Sequence, residues 1–550
     1  MDVSLNRIFG LLGQAALLHL DSLSLFFLVI LLFQGMAAAL AGMRATVGFW
    51  LSLAGMVLIL VSGTAFTLTI GVGLMAAAIL YLTARGAPKQ AVPFAGIAVF
   101  AIACLVLAFA LPVSSLTFIL VLVATAALAG LAPFYNWLPR SYAALPEAMS
   151  GLLSGGGVNI AFYILIRYAF VAAAQSQHPW WGVMLLVMGA FSCLFAALKA
   201  ALEVDLRDVL AWSTVAGAGL IAIGIGLALQ AEASGHFARA GLALQAVLLW
   251  VLAHGLLRSL LFIGSGEVRQ AVGTTSLNWL GGLMRGMPRL GALMLLGAAG
   301  LAVLPLGPTF APAYLLVHAV IGAALQGGLD AHLGYAVLLA VLGLSAALML
   351  MAAVKLIGLG FLGRPRSLHA AAAEDARQGP FLGMALLGLL CVPIALVPGL
   401  ILDLCKPIIH LLAPMASVTK LTYTPLTLCL LAGVALLAAG LVQARWGVRG
   451  LRETPVWNGG FDRPPVWLPF GDPHTQSSAS GFAQLLIFSF GQIVTIDPVQ
   501  RFLWPPLRRL GAWFTGWVYR IRRLTPRVWL AIMFGIVLLA LLVRGLMQGG

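Results

Sequence analysis

The chain has 550 residues, of which 62% are apolar and 9% are Asp, Glu, Lys or Arg. Soluble domains average about 25% charged residues, so a water-soluble globular enzyme and a disordered chain are excluded; long apolar runs without alternation exclude a β-barrel porin. The 31 basic side chains outnumber the 16 acidic ones, but no nucleic-acid-binding motif accompanies them. We therefore predict an all-α polytopic membrane protein whose basic loops contact anionic lipid, with no nucleic-acid partner.

A membrane-spanning helix needs about 20 consecutive apolar residues, and by that rule about 15 spans follow one another along the chain. They lie near residues 22–43, 46–62, 65–84, 93–112, 116–134, 148–173, 181–202, 207–230, 240–264, 288–308, 309–327, 332–360, 380–404, 421–445 and 527–546. We accordingly predict four parts: an N-terminal segment (1–21), a transmembrane core (22–445), a basic interfacial segment (446–526) and a C-terminal span (527–546).

The segment 446–526 contains several prolines and no clear span, and Arg and aromatic side chains alternate toward its end. This mixture is typical of a helix that lies on the bilayer surface. An ordinary basic anchor beside the last span explains the same residues, and the sequence favours neither interpretation.

Two spans contain glycines at positions that interrupt a helix: residues 155–157 in one span, and His254-Gly255 in the other. An interrupted helix at membrane depth is tolerated where it lines a cavity or is buried in protein. We predict a broken helix at both points. Glycines also allow close helix packing, so these residues alone do not separate a transport role from a packing role.

Ionisable side chains within the spans are candidates for an ion pathway, because a charge in mid-membrane is costly. Lys355 lies near the end of its span, with no acid nearby in sequence. It either exchanges protons or extends to the membrane surface. Arg258 follows His254 by four residues, so both lie on one helix face. His254 either relays protons in the field of Arg258, or the pair is an ordinary polar contact between helices.

The five cysteines are scattered, and no two have the CxxC spacing. This pattern favours small buried side chains over a disulfide framework, a zinc site or an iron–sulfur site. We therefore expect no metal, no cofactor and no catalytic residue in this chain.

Several motifs occur in order along nearly the whole chain. They read APFYNWLPRSYAALPEAMSGLLSGG, VDLRDVLAWSTV, HGLLRSLLFIGSGEV, VKLIGLGFLGRPRS, WNGGF and ASGFAQ. With these motifs the chain resembles the antiporter-like membrane subunits of the complex I and Mrp antiporter superfamily, especially the branch of hydrogenase-4 component B, or formate hydrogenlyase subunit 3. The resemblance implies two inverted repeats of five helices with broken central helices. It also implies a half-channel in each repeat, joined by buried lysines and a glutamate that carry protons.

The chain departs from this family at most of its proton-binding positions. The departures are no acid near Gly71 to Gly73, Leu128 for a lysine, Tyr135 and Tyr142 for histidines, Asn159 for a lysine, Ala216 for an acid and Arg258 for a lysine. Between Asp21 and Glu147 there is no Asp or Glu at all. Leucine and an amide cannot hold a proton, so the first half-channel is predicted to be degenerate. The second half-channel keeps the ionisable residues His254, Arg258 and Lys355.

We therefore predict a membrane-arm subunit of a complex I-like or group 4 hydrogenase-like oxidoreductase in the bacterial cytoplasmic membrane, with no redox centre of its own. It conducts protons or Na⁺ at most through its second repeat. Its partners are the other membrane and peripheral subunits of that assembly. Two alternatives stay open: an ion-conducting module of a non-redox assembly, for cation antiport or inorganic-carbon uptake, and an inert membrane scaffold.

Overall fold

The computed structural model describes most of the predicted transmembrane core. The described residues are 18–173, 178–305, 307–325, 328–418, 424–446, 478–481, 484 and 488. The predicted C-terminal span (527–546) and the WNGGF motif lie outside them. So do nearly all of the basic segment (446–526) and the N-terminal segment before Leu18.

Helices make up nearly all of this described part, in which no β-strand occurs beyond two isolated bridges. The first half contains α1 (Ser22–Leu40), a 3₁₀ turn (Met43–Ala45), α2 (Val47–Leu60), α3 (Ala65–Gly86), α4 (Pro88–Ala110), α5 (Ser115–Ala129), α6 (Trp137–Ala144), α7 (Glu147–Leu152), a π-helical segment (Leu153–Gly157) and α8 (Val158–Ala173). The second half contains α9 (Pro179–Leu202), α10 (Leu206–Ala233), α11 (Phe237–Val272), α12 (Leu283–Gly286), α13 (Pro288–Leu301), α14 (Phe310–Ala324), α15 (Leu329–Lys355), a π-helical segment (Leu356–Phe361), α16 (Leu368–Ala371), α17 (Gln378–Leu396), α18 (Pro398–Leu412) and α19 (Pro425–Trp446).

Many of these helices are suited to a membrane. Within the residues searched, 9 helical segments are long and apolar enough to cross a bilayer, and further apolar helices are shorter. This confirms the prediction of an all-α polytopic membrane protein. Most predicted spans from 22–43 to 332–360 coincide with one helix to within a few residues. The exceptions are 148–173, which contains α7, a π-helical segment and α8; 240–264, because α11 continues to Val272; and 288–308, because α13 ends at Leu301. The total of about 15 spans and their arrangement as two inverted repeats stay predictions.

The predicted span at 380–404 is wrong, because two helices occupy it. α17 ends at Leu396 and α18 begins at Pro398, and Val397 between them is not helical (φ −134°, ψ 52°). Proline has no backbone N–H and disfavours the helical conformation of the residue before it, so a new helix begins here. The hydropathy of the segment hides this boundary, since the residues on both sides are apolar.

Short polar side chains fix where several helices begin. The Asp21 carboxylate accepts a hydrogen bond from the Ser24 amide at 2.8 Å and so caps α1. Thr64 and Ser114 form capping boxes with the threonine three residues later, at the starts of α3 and α5. Such caps satisfy N–H groups that have no partner inside the helix, and each contributes about 1 kcal/mol.

Asp21 also connects α1 to α8. Its carboxylate accepts a hydrogen bond from Arg167 at 2.6 Å, and Arg167 also donates to the Ser24 hydroxyl. Burial alone would raise the pKa of the Asp21 carboxyl, but the Arg167 charge and the Ser24 amide outweigh burial, and the pKa lies below its ordinary value. A partly buried ion pair therefore holds the start of the transmembrane core in place.

Three segments form the centre of the described fold: Glu147–Ala172, α10 and α11. The most apolar 18-residue stretches of these segments are 100%, 94% and 94% buried, whereas that of α4, on the outside, is 28% buried. Polar side chains on these inner helices are shielded from lipid by their neighbours. This is the part of a membrane protein in which ionisable residues are tolerated.

α9 lies against α10 at a distance that requires glycine. A Cβ atom on Gly219 would lie 2.6 Å from the carbonyl oxygen of Gly189, and one on Gly189 would be equally close to that of Gly219. Contacts of this kind between small residues are common among membrane helices. The pair fixes the position of α10, which carries part of the candidate site.

The first predicted helix break is an irregular segment within a continuous helix, Glu147–Ala172, and the second predicted break is wrong. Leu153–Gly157, which contains the three consecutive glycines, is π-helical. By contrast, α11 is α-helical without interruption through His254 and Gly255. A Cβ atom on Gly255 would come within 2.7 Å of the Gln34 amide and 2.8 Å of the Asn159 amide. This glycine therefore serves close packing rather than a break.

A second π-helical segment begins elsewhere, directly after Lys355. It covers Leu356–Phe361 and ends α15. π-Helical turns are rare and frequently occur at functional sites, because the extra residue leaves backbone carbonyl groups displaced from the regular pattern. The polar residues beside both π-helical segments are therefore candidates for a functional site.

Candidate functional site

His254 and Arg258 lie at the middle of α11, near the centre of the fold. Only 2% and 6% of their surfaces are exposed. The two side chains share one face of the helix, opposite Gly217 of α10. A Cβ atom there would be 2.5 Å from the His254 ring and 3.4 Å from the Arg258 guanidinium. We call His254 and Arg258 the central pair.

The Arg258 guanidinium has hydrogen-bond partners but no acidic partner among the described residues. One terminal nitrogen donates to the Ser213 hydroxyl, and the other donates to the Ser213 carbonyl oxygen at 2.8 Å. The Nε atom has no partner in this part of the chain. The phenol of Tyr142 interacts with the charge. A buried charge without a counter-charge costs several kcal/mol, so Arg258 strongly attracts an anion.

The imidazole of His254 is buried, and the backbone of Thr214 is its polar neighbour. Neither Nδ1 nor Nε2 makes a well-formed hydrogen bond with another described residue. Buried polar atoms in native proteins nearly always have a partner, which is either protein or ordered water. The ring therefore has hydrogen-bonding capacity that ordered water or a bound molecule can use. Its two nitrogens also allow it to accept a proton on one side and donate one on the other.

A cavity of about 460 Å³ lies beside the central pair, between α9, α10, α11, α14 and α15. Apolar side chains form most of its wall, among them Leu220, Trp250, Leu342 and Met349. Cavities with apolar walls stay dry, whereas a proton path needs polar groups or water at hydrogen-bond spacing. The cavity, which we call the central cavity, therefore suits an apolar molecule better than a file of water.

Lys355, the last residue of α15, is fully buried and caps another helix. Its ammonium donates to the carbonyl oxygens of Ala200, Ala201 and Glu203, at 3.3, 2.7 and 2.5 Å. These carbonyls lie at the C-terminal end of α9, where they have no partner within the helix and the helix dipole is negative. The alternative that Lys355 extends to the membrane surface is wrong, since its exposure is 0%.

The structure holds Lys355 apart from the central pair. It does not line the central cavity, and no hydrogen bond or ion pair joins it to His254 or Arg258 in the part of the chain described. Its electrostatic partner is Glu203, in the loop between α9 and α10. Burial raises the pKa of the Glu203 carboxyl, although Lys199 and Lys355 act in the opposite direction. The proximity of Glu203 to Lys355 could not be predicted from sequence, because 152 residues separate them.

The positions predicted to be degenerate lie in the core. Leu128 on α5 is 6% exposed, and Ala216 on α10 lines the central cavity. The Asn159 amide on α8 donates to the Val251 carbonyl oxygen at 2.9 Å, while its Oδ1 has no partner among the residues described. A neutral amide thus stands where the motif resemblance assigns a lysine.

Gln34 of α1 lies beside Asn159, and sequence reasoning missed it. Its side chain is fully buried, and neither amide atom is hydrogen-bonded to a described residue. Cβ atoms on Gly155 and Gly255 would lie 2.5 and 2.7 Å from its Nε2 atom. Its signal in the sequence is a polar residue within an apolar span, which a search for ionisable side chains passes over.

Charged residues gather at the end of the bundle where α7 begins and α11 ends, and we call them the charged rim. Glu147, the first residue of α7, forms ion pairs with Arg207, at 3.2 Å, and with Arg269. Glu267 pairs with Arg377 at 3.0 Å. Four of these five side chains line a second cavity of about 370 Å³, whose polar wall can hold water.

Two hydroxyl groups lie at the level of the central pair. Ser154 in the first π-helical segment and Thr214 of α10 share a hydrogen bond of 2.7 Å. Thr214 is adjacent to Ser213, which holds Arg258. Arg207 and Ser213 lie about 9 Å apart along the axis of α10. The two polar levels of the bundle are therefore separated by about two helical turns.

Two relatives share about a third of their residues with this chain. It is 31% identical over 401 residues to an uncharacterized protein of Mycobacterium tuberculosis (strain ATCC 25618 / H37Rv), covering 70% of this chain and 61% of that protein. It is also 31% identical over 284 residues to hydrogenase-4 component B of Escherichia coli (strain K12), covering 52% of this chain and 42% of that protein. The chain thus spans less than two thirds of the length of these relatives.

A solved structure and a protein family also match. A chain of the membrane-bound sulfane sulfur reductase, an archaeal respiratory membrane complex, superimposes with a TM-score of 0.74 at 19% identity, covering 98% of this chain and 91% of that chain. This likeness shows a shared fold. The model of the family described as NADH:quinone oxidoreductase/Mrp antiporter, transmembrane, matches residues 14–343, which confirms the resemblance of the motifs. The chain belongs to the NADH:quinone oxidoreductase/Mrp antiporter transmembrane family.

Proposed function

We propose that this protein is a membrane-arm subunit of an energy-converting, complex I-like or hydrogenase-like assembly in a bacterial cytoplasmic membrane. Family membership and the similarity to hydrogenase-4 component B support this proposal. In this proposal the redox centres belong to partner subunits, and this chain moves protons or Na⁺ in response to them. Its partners are the other membrane and peripheral subunits of the assembly.

The central pair is the observation that carries an ion-conducting role. His254 and Arg258 lie in the middle of the most central helix, away from lipid, and combine a buried imidazole with a guanidinium that lacks a described acidic partner. Buried ionisable groups in membranes are costly and mark translocation pathways by default. In this proposal His254 passes the proton and Arg258 sets the electrostatic field.

Lys355 and Glu203 are the second pair of ionisable residues in the proposed pathway. The Lys355 ammonium lies among carbonyl oxygens at the end of α9, and Glu203 in the following loop is only partly buried. A proton that leaves Lys355 therefore has a carboxylate beside it, with access to the exterior. The raised pKa of Glu203 keeps that carboxyl closer to the range in which it takes up and releases protons.

The first half of the core is proposed to be structural. Leu128 and the amides of Asn159 and Gln34 cannot hold a proton. The sequence contains no Asp or Glu between Asp21 and Glu147, which covers α1 to α6 entirely. Conduction is therefore proposed for the second half alone.

Proton uptake by proteoliposomes that contain the intact complex tests this proposal. His254→Gln and Lys355→Gln should each abolish uptake driven by electron transfer. His369→Gln, at an exposed histidine outside the spans, should leave uptake unchanged. The rate of electron transfer to a soluble acceptor shows whether each variant complex is assembled. Uptake at the wild-type rate in both pathway variants would eliminate the conducting role and leave the inert scaffold.

A second candidate function is an ion-conducting module of a non-redox assembly. It is favoured by the description of the matching family, which includes Mrp antiporters. Such a module serves cation antiport or inorganic-carbon uptake. Purification of the chain from its native membrane distinguishes the two. Antiporter subunits or a carbon-capturing protein in the purified complex would favour the second function, and hydrogenase-like subunits would favour the first.

A further inference from the structure

The central cavity has a wall and an inner end of opposite chemistry. Its volume of about 460 Å³ lies within the range of about 300–1,000 Å³ that is typical of small-molecule sites. Leucine, tryptophan and methionine side chains form most of the wall, and the central pair stands at the inner end. The combination of one polar end and an apolar body matches an amphiphile.

The hydrogen-bonding groups at the polar end indicate the charge of a ligand that would bind there. Arg258 meets no carboxylate in the described chain. Its Nε atom has no partner there, and neither nitrogen of His254 makes a hydrogen bond of good geometry. Both side chains are more than nine-tenths buried, at 6% and 2% exposure. A buried guanidinium is stabilised by an anion with two acceptor oxygens, which it binds with short, strong hydrogen bonds. An anion therefore suits this end of the cavity, and a carboxylate fits this requirement.

The outer end of the central cavity opens toward the outside of the bundle. His318 of α14 and Gly343 of α15 both line the cavity and are exposed at the protein surface. α15 is mostly unburied, since 61% of its apolar stretch lies outside the protein interior (39% buried). A molecule dissolved in the bilayer therefore reaches the central cavity sideways, between α14 and α15.

We propose that the central cavity binds a long-chain carboxylate from the bilayer. Its head accepts hydrogen bonds from Arg258 and His254, and its alkyl chain lies along Leu220, Leu342 and Met349. An inorganic anion would leave the apolar volume unfilled, and a neutral lipid would leave Arg258 without a counter-charge. This binding does not depend on ion conduction, so it is measured without a gradient and stands or falls separately from the proposed function.

Dodecanoate binding to the purified full chain in nanodiscs tests the proposal, with dodecanol as an uncharged probe of the same length. Radiolabelled dodecanoate should bind saturably, and excess dodecanol should not displace it. Arg258→Gln should weaken binding at least about tenfold, because it removes a charge-assisted hydrogen bond. Arg285→Gln, at an exposed arginine outside the cavity, should have no effect.

Two tryptophan substitutions keep the test decisive if Arg258→Gln fails to fold. Ala346 lines the central cavity, whereas Ala347, the next residue of α15, is exposed and does not. Ala346→Trp should fill the cavity and abolish dodecanoate binding, while Ala347→Trp should bind as the wild type does. Equal binding of dodecanoate and dodecanol, or undiminished dodecanoate binding by Ala346→Trp, would overturn the proposal.

Discussion

Substitution of Lys355 separates the capping of α9 from proton transfer. The Lys355 ammonium donates hydrogen bonds to three carbonyl oxygens at the end of α9. A hydrogen bond to a charged group contributes about 1.5–3 kcal/mol, and such contributions overlap when they share one donor group. Removing one partner from a buried charged contact costs about 3–5 kcal/mol. We therefore expect Lys355→Met to lower the free energy of unfolding by about 3–5 kcal/mol.

Lys355→Arg should have the opposite profile. The arginine keeps the positive charge and the hydrogen-bond donors, and its larger size should cost about 1–3 kcal/mol through overpacking. Arginine does not release its proton at ordinary pH. Lys355→Arg should therefore keep most of the stability and lose proton uptake.

Thermal unfolding of the purified chain in detergent measures the capping effect, and proton uptake by proteoliposomes of the complex measures transfer. Lys406→Met is a matched control, because Lys406 forms an exposed pair with Asp403 at 2.7 Å and such pairs contribute about 0–1 kcal/mol. Wild-type uptake in Lys355→Arg would refute proton transfer through Lys355. Wild-type stability in Lys355→Met would refute the capping of α9.

Three further substitutions test other parts of the fold. Gly219→Val should lower the free energy of unfolding by about 2 kcal/mol or more, because its Cβ meets a backbone carbonyl of α9. Gly334→Val is the control: a Cβ there meets open space, so this variant should unfold at the wild-type temperature. Equal losses of stability in both variants would contradict this packing. Glu147→Gln should cost about 3–5 kcal/mol in a denaturant titration, because Arg207 is then buried without its carboxylate; an unchanged midpoint would contradict it. Asp21→Asn should destabilise the protein near neutral pH. Because the folded pKa of Asp21 is lowered, its contribution is present above the ordinary carboxyl pKa and is lost as the pH falls through the lowered value. The difference in Tm between Asp21→Asn and the wild type should therefore shrink in acid, and a constant difference would be inconsistent with this account.

The helices could be located from sequence because membrane thickness sets their length. The predicted boundaries failed where apolarity carries no information about the backbone. Pro398 begins a helix inside a run of apolar residues, and only the chemistry of proline reveals it. Gly255 is a residue type that commonly interrupts helices, but its role here is close packing against Gln34 and Asn159. These two residues are far from it in sequence and contact it only in the folded chain.

The candidate site was predictable only in part. Helical periodicity places His254 and Arg258 on one face, and their burial follows from the apolar residues around them. The partners of Lys355 are backbone carbonyls, which have no signature in residue type. The central cavity is formed by ordinary apolar side chains of several helices, and no motif distinguishes these from the rest of an apolar chain.

The length of α11 has a mechanical consequence. Its 36 residues extend about 54 Å at 1.5 Å per residue. The hydrocarbon layer is about 30 Å thick, and even a tilt of about 40° would not bring such a helix within it. At least one end of α11 therefore stands among headgroups or in water, and Glu267 and Arg269 lie near one end. Any displacement of that charged end is passed to His254, at the midpoint of α11, through one continuous helix.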